Sequence, residues 1–473
     1  MKTMKYLYMA ALMLGFSATA TAQDGSKADV DAVKKIISAK PADLAKQMKP
    51  FYGKNKKNAE NLTAFARAFY DAKDTANARQ YAQYALVASK YKFAPAYVVL
   101  GDIEAIGDNG GQAAAQYDQA INADPKLVEA YFKYANVYRK ISPRQSIEKL
   151  DQLKQNCPDV EINAIKAHIY MLSKDEKKAY EAYKLCDINK LDRGNLNEFA
   201  RASYFTGHFE DALKACEAGL KIAPRNPTFN RLAMFSNYEL KNFEAAKGYV
   251  HRYFNETDSA KFSEYDHYYT ALIHHALNDK AAAYEQYDKA LELVNEESMI
   301  KRPDILKTVA SSHAEDKNFD KAIEYYQNFL ASKKDLTVDD CEGLANLYSK
   351  YADADADKKV DLLTKADGVY ADIAQKFPIQ EAYATYMRAN LNNKLDNNME
   401  KALAKPYYQK VAELLGGKAD RTNGENIMLR TSYHYLMYNA YLAKNIDQAK
   451  EYAAKILEIF PDYKPAQDIS NLK

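Results

Sequence analysis

Tryptophan is absent from the 473-residue chain, and glycine (16), proline (13) and cysteine (4) are sparse. With so few breakers and no Gly/Ser-rich linker anywhere, the composition favours an all-helical chain without flexible joints. Long apolar runs are missing as well. The one hydrophobic stretch, Tyr6 to Phe16, is too short to span a bilayer. Net charge is also lacking: setting aside Lys2 and Lys5 of the amino-terminal leader, 64 basic residues face 64 acidic ones. That balance excludes a chain dominated by phosphate binding, which needs clustered excess Lys and Arg. The four cysteines contain no C-x-x-C pair, so their spacing matches neither a metal nor a redox motif. Cys186 and Cys216 occupy corresponding core positions, where buried free thiols are expected ahead of a disulfide.

What is present begins with a leader. MKTMK supplies a basic start, YLYMAALMLGF an apolar centre, and SATATAQ small residues at Ala20 and Ala22. This is a secretory signal over residues 1–22, with cleavage expected between Ala22 and Gln23. No cysteine follows, so a lipid anchor is not expected. The style of the signal suggests a bacterial periplasm.

Beyond a polar, Lys-rich capping segment at 23–58, one unit recurs. It is best formed at Tyr97 to Pro125, where Tyr97, Leu100, Gly101, Ala113, Tyr117, Ala120 and Pro125 mark the template. Small residues at Gly101, Ala113 and Ala120 let two helices approach, and Tyr97, Leu100 and Tyr117 fill the space between them. Asp108 to Gly111 make the turn, and Pro125 ends the second helix. Such a hairpin cannot bury its apolar stripe alone, so neighbours of its own kind are required. They follow at Phe65/Ala66/Ala78/Ala82, Tyr131/Tyr134/Ala135/Leu150, Ala167/Ala179/Tyr183 and Ala200/Ala212/Cys216. Further copies read Ala233/Ala245/Tyr249, Ala271/Ala283/Tyr287, Ala310/Ala322/Tyr326, Ala345/Ala366/Tyr370, Tyr386/Ala404/Tyr408 and Leu436/Ala449/Ile456. The fourth and tenth copies are degenerate, and Pro406 is expected to kink or delay a helix of the tenth. A break or bend is expected near 351–361, and a loop at 416–424.

The pattern, with Ala and an aromatic four apart and Pro eight further on at Ala113/Tyr117/Pro125 and Ala366/Tyr370/Pro378, resembles the tetratricopeptide repeat (TPR). It departs from that family in never using Trp at the first aromatic position. The resemblance implies an all-α, right-handed solenoid of about eleven antiparallel hairpins over 59–473, acting as a protein-interaction scaffold. It also implies a concave face lined by the first helix of each hairpin. The candidates it places there are Lys133, Asn136 and Arg139; Asn197, Arg201 and Tyr204; Asn230, Arg231, Asn237 and Tyr238; and Tyr268, Tyr269 and His275. Tyr, Arg and Asn suit such a face, because aromatics bury area at low entropic cost and amides pair with peptide backbone.

Other motifs weigh little. ADADAD at 352–357 begins like a calcium loop, but Lys358 and Thr364 stand where Gly and Glu are needed. Gly416-Gly417-Lys418 lacks the Ser/Thr and the first Gly of a phosphate loop. His267, His274 and His275 want a further ligand for zinc, so metal binding is not expected. With no catalytic constellation, no cofactor and no enzyme activity are expected, and the partner is expected to be a protein of the cell envelope. A carbohydrate-binding role in glycan uptake is the alternative, weighed down by the missing Trp and lipid-anchor cysteine.

Overall fold

The computed structural model describes residues 24–258 and 260–472, so the leader and the Ala22/Gln23 cleavage site lie outside the described residues. Among the described residues every regular element is helical. The chain divides into two compact units, residues 1–241 with 256–258, and 242–255 with 259–473.

In the first unit α1 (Asp24–Ala39) and α2 (Leu44–Asn55) precede the hairpins α3 (Ala59–Asp71)/α4 (Thr75–Ala88) and α5 (Ala94–Ile106)/α6 (Gly110–Ala123). Then come α7 (Val128–Tyr138)/α8 (Pro143–Asn156), α9 (Asn163–Leu172)/α10 (Glu176–Lys184), α11 (Arg193–Phe205)/α12 (Phe209–Ile222), and α13 (Pro227–Glu239). The second unit holds α14 (Phe243–Glu256) but for its last residue, then α15 (Glu264–Ala276)/α16 (Lys280–Leu293) and α17 (Arg302–Glu315)/α18 (Phe319–Ser332). It continues with α19 (Val338–Ala354)/α20 (Lys359–Lys376), α21 (Glu381–Leu395)/α22 (Lys405–Gly416), α23 (Asn423–Leu442)/α24 (Ile446–Ile459), and a closing α25 (Lys464–Ser470). Ten of the eleven expected helix pairs lie within one unit or the other, while α13 belongs to the first unit and α14 to the second.

A three-residue turn builds the typical hairpin. After α3, Lys73 takes a left-handed conformation (φ 65°), and the Asp74 N–H returns to the Phe69 carbonyl at 2.9 Å, satisfying an otherwise orphaned acceptor. The Asp74 carboxylate then accepts from the Asn77 N–H at 3.0 Å and caps α4. The same turn thus stops one helix and starts the next. It recurs at Lys174/Asp175, whose carboxylate caps α10. The third hairpin turns differently: four residues, 139–142, separate α7 from α8, the Ser142 N–H bonds the Tyr138 carbonyl at 2.8 Å, and no left-handed residue intervenes.

Packing follows the template. Phe65, Ala66, Phe69, Ala82 and Ala85 share one core, and Ala113, Tyr117, Ala120, Tyr131 and Leu150 another. The approach of helices is close: a methyl placed on Gly101 would stand inside the Tyr117 ring, and one on Gly219 inside that of Phe229.

Several expectations need correction. Residues 23–58 are more than a polar cap, since Val33, Ile37 and Met48 join the core of α3 and α4, and Pro50 sits inside α2. In α14 the packed residues are Ala246, one residue on from the exposed Ala245, and Tyr253, one helical turn on from the half-buried Tyr249. Pro406 falls in the first turn of α22, where its missing N–H costs nothing, so it starts the helix. Residues 351–361 lie within the second unit, where Tyr351, Ala352, Leu362 and Leu363 share a core, and the units part at Lys241. The 416–424 loop is held by Arg421, whose guanidinium donates to the carbonyls of Leu415, Gly416 and Lys418. All four cysteines are free thiols; Cys216 and Cys341 are buried, Cys157 and Cys186 half-buried.

Candidate interaction surface

The first helices carry polar side chains between the apolar positions that pack the hairpins. In the first unit these are largely tied to one another. Asp102 on α5 is buried and accepts from three elements at once: Arg67 Nη1 of α3 at 2.5 Å, Lys133 Nζ of α7 at 2.6 Å, and the Tyr117 hydroxyl of α6 at 2.8 Å. The cluster links three successive hairpins. Burial pushes the Tyr117 phenol far above its ordinary range, and the Asp102 charge adds to it. For Arg67 burial acts to lower the guanidinium, but the charge and hydrogen bond of Asp102 outweigh it and the net direction is upward. Two hairpins on, His168 Nδ1 of α9 meets Glu198 Oε1 of α11 at 2.9 Å, and the Tyr183 hydroxyl donates to Glu198 Oε2 at 2.7 Å.

Against this frame the thirteen expected surface residues sort by accessibility. Arg201 is exposed, and Asn136, Arg139, Asn197, Arg231 and Tyr238 are half-buried. The Asn136 Oδ1 atom is buried without a hydrogen bond, which is unusual for an amide oxygen. Arg231 lies over the Phe235 ring, 5.1 Å from its centre. Four others leave the surface. Lys133 is committed to Asp102 and Glu129. Tyr204 is core, packed among Phe205, Phe209 and Phe235. Asn230 and Asn237 are buried, their amides donating to the carbonyls of Pro224 and Asn226 and of Ala233.

The remaining three belong to the second unit. Tyr268 is half-buried and its hydroxyl meets Thr308 Oγ1 at 3.2 Å. Tyr269 is buried against Tyr265. His275 is half-buried, with Nε2 turned toward Asp316 at 3.9 Å. The neighbouring histidines diverge: His267 pairs with Gln286 and His274 with Asp279. Among the described residues no group of His, Cys, Asp or Glu is arranged to hold a metal ion.

Two exposed tyrosines stand outside the expected surface: Tyr438, which the repeat pattern does not single out, and Tyr441, which the pattern reads as a packing position of the last hairpin but which is exposed. Tyr438 and Tyr441 on α23 stand in solvent with their rings stacked, centres 6.3 Å apart. Tyr435 and Leu436, buried on the same helix, supply the spacing signal that could have separated the exposed pair from the core.

The two best-formed hollows are shallow and open: one of about 470 Å³ at Arg193, Pro224, Arg225 and Asp258, another of about 380 Å³ at Tyr91, Tyr97 and Asn122. Arg225 is spent on Asp258 at 2.7 Å. No helix of the described residues is long and apolar enough to cross a membrane.

The pairing of helices and the spacing of their small and aromatic residues make this chain a helical-repeat protein whose hairpins resemble the tetratricopeptide repeat. Neither a family model nor a curated protein sequence matches it. Solved structures do align with it. The C-terminal part of a TPR repeat-containing protein from Cytophaga hutchinsonii is 20% identical, covering 58% of this chain and 100% of that one at a TM-score of 0.43. A tetratricopeptide repeat protein from Parabacteroides merdae is 14% identical over 50% of this chain and 94% of its own, at 0.32. PilF of Pseudomonas aeruginosa is 14% identical over 43% and 92%, also at 0.32.

Proposed function

We propose that the protein is a non-enzymatic interaction scaffold, exported to the periplasm, that binds a peptide segment or partner domain of the cell envelope along its first helices. The observation that carries this reading is the contrast between a rigid inner frame and varied outer groups. Hydrogen-bonded clusters such as Arg67–Asp102–Lys133 hold successive first helices in register, while Asn197 and Arg201 keep accessible groups on the first helix α11 and Asn136 stands half-buried on α7. A fixed scaffold with changing side chains is what recognition of an extended partner needs. The open hollows support a macromolecular rather than a small-molecule ligand, which would be enclosed more deeply.

The test is a pull-down from cross-linked envelope, comparing wild type with Asn136→Ala/Asn197→Ala/Arg201→Ala. These are accessible or half-buried positions, so the fold should survive; retention of the same partners by the triple variant would sink the assignment.

A glycan ligand is the second reading, favoured by the solvent-exposed, stacked Tyr438–Tyr441 pair, since a flat aromatic platform suits a sugar ring. Soluble oligosaccharides that raise the melting temperature of wild type, and not of Tyr438→Ala/Tyr441→Ala, would establish it.

A further inference from the structure

The near-neutral charge of the chain is unevenly spread. Residues 24–58, which hold α1 and α2, carry nine lysines and no arginine against four aspartates. Residues 59–92, the first hairpin and its exit, add five basic residues and three acidic ones, so 24–92 holds 14 Lys and Arg against seven Asp and Glu. The remainder, 93–473, holds 50 against 57. Basic charge is thus gathered at the amino-terminal end of the first unit, and the acids that share this region do not cancel it. Asp29 is buried and holds Lys54 and Asn55, Asp43 accepts from Gln47, and from Leu44 to Asn58 there is no acidic residue.

The fold gains little from these lysines. Val33, Ile37 and Met48 turn the inner faces of α1 and α2 into the core of α3 and α4, and all nine lysines stand exposed outside it. Of the nine only Lys54 forms an ion pair within the described residues. Other helices match surface lysines to acids of their own, as in Lys289–Glu285, Lys321–Glu324, Lys365–Asp361 and Lys464–Asp468. Along α2, Lys46, Lys49, Gly53 and, just past its end, Lys57 follow one another three or four residues apart on one stripe, with only repulsion between the charges. Ala42, Ala45, Pro50 and Gly53 are exposed beside them, so no bulky side chain keeps a flat partner away. We propose that α1 and α2 dock the protein on an anionic phospholipid surface. Lysine is a hydrated point charge on a flexible stem, suited to a diffuse layer of lipid phosphates, whereas a docked protein or a nucleic acid favours the planar fork of arginine, which this segment lacks. Among its described residues no large apolar side chain is exposed, so the contact is with headgroups and not with acyl chains. The same plane repels the acidic excess of the remaining chain, which leaves the amino-terminal end as the side that approaches.

The mature chain is sedimented with vesicles of phosphatidylcholine alone and of phosphatidylcholine mixed with phosphatidylglycerol, at about 0.05 M and about 0.5 M salt. Binding to the mixed vesicles at low salt is expected, with none to phosphatidylcholine and little at high salt. Lys46→Gln/Lys49→Gln/Lys56→Gln/Lys57→Gln should weaken it about a hundredfold or more. These four sites are exposed and unpaired, so that variant should melt like wild type. Removing the same charge from exposed turns of other hairpins, in Lys140→Gln/Lys174→Gln/Lys317→Gln/Lys444→Gln, should leave binding close to that of wild type. The proposal is overturned by equal binding of the first variant, by an equal loss in the second, by equal binding of phosphatidylcholine alone, by no binding of the mixed vesicles, or by tighter binding of polyglutamate or duplex DNA than of vesicles. None of these outcomes bears on the inner face, which the envelope pull-down tests separately.

Discussion

Tyrosine carries the packing of this protein in a way that tryptophan could not. On six second helices the template aromatic is a buried tyrosine whose hydroxyl finds a partner on a first helix. Tyr117 reaches Asp102, Tyr183 Glu198, Tyr287 Ser312, Tyr326 the Asp340 carbonyl, Tyr370 Glu342 and Tyr408 Asn390. An aromatic body fills the core while its polar end fixes the register of the facing helix. The rings also demand small neighbours. Gly101→Ala should destabilise by about 1–3 kcal/mol through overpacking against Tyr117. Gly248→Ala, in α14 where an added methyl meets nothing, should instead stabilise by about 1 kcal/mol through helix propensity. Urea unfolding followed by circular dichroism reads both, and equal effects would contradict the packing account. Asp340 provides a pH-dependent counterpart. Burial works to raise its carboxyl, but hydrogen bonds from Lys333 at 2.5 Å and from Thr337 outweigh this and hold it well below the ordinary value of 3.8. A depressed folded-state value means a stabilisation present above the unfolded value and lost as pH falls through the folded one. Asp340→Asn should therefore cost most near pH 7 and progressively less below about pH 4. The two urea titrations should converge in acid.

The turns are elements in their own right, and they explain why so helical a chain spends so little glycine. Where a helix usually ends on a left-handed glycine, this chain places Lys73, Asp108, Lys174, Asn278, Lys317 and Lys444 at φ near 60°, and among the described residues glycine takes that conformation only at Gly207. Each non-glycine residue there bears a strain that glycine would relieve. Lys174→Gly and Lys317→Gly should each stabilise by about 0.5–1 kcal/mol, read as an upward shift of the urea midpoint, whereas Ala at the same places should not. The same turns mark the limits of sequence reading. Helix pairs with small residues facing aromatics were legible at Ala113/Tyr117 and Ala366/Tyr370, because period and residue size both point to one face. The surface was less so. Tyr204 and Asn237 differ from true surface residues by about one helical step, and a polar side chain can turn inward when a carbonyl or a ring receives it, as Ala233 receives Asn237. Lys133 was legible as a cation on the first helix, but its partner Asp102 lies 31 residues away, beyond any local pattern. The slip from Ala245 to Ala246 in α14 has the same origin, since two adjacent alanines offer the template no choice.

At the scale of the whole chain, stability is built from neighbours. Each hairpin buries its apolar stripe only against the next, so a local defect should spread over one or two hairpins and fade. The Asp102 cluster is the sharpest place to measure this, because one carboxylate is held by α3, α6 and α7 together. Asp102→Ala removes the acceptor of two cations, leaving Lys133 facing only the more exposed Glu129 and Arg67 partly buried without its counter-charge. Loss of one member of such a buried set costs about 3–5 kcal/mol, more than the pair itself contributes. Asp102→Asn keeps the shape and one acceptor oxygen, and should cost less. Hydrogen exchange should then show faster amides in α3 to α8 of the Asp102→Ala variant, with α17 to α24 exchanging as in wild type. Uniform acceleration along the chain would mean that the array unfolds as one cooperative body, and the nearest-neighbour description would fail. The distinction bears on function, since a scaffold that loosens locally can yield one hairpin to a partner while the others hold their register.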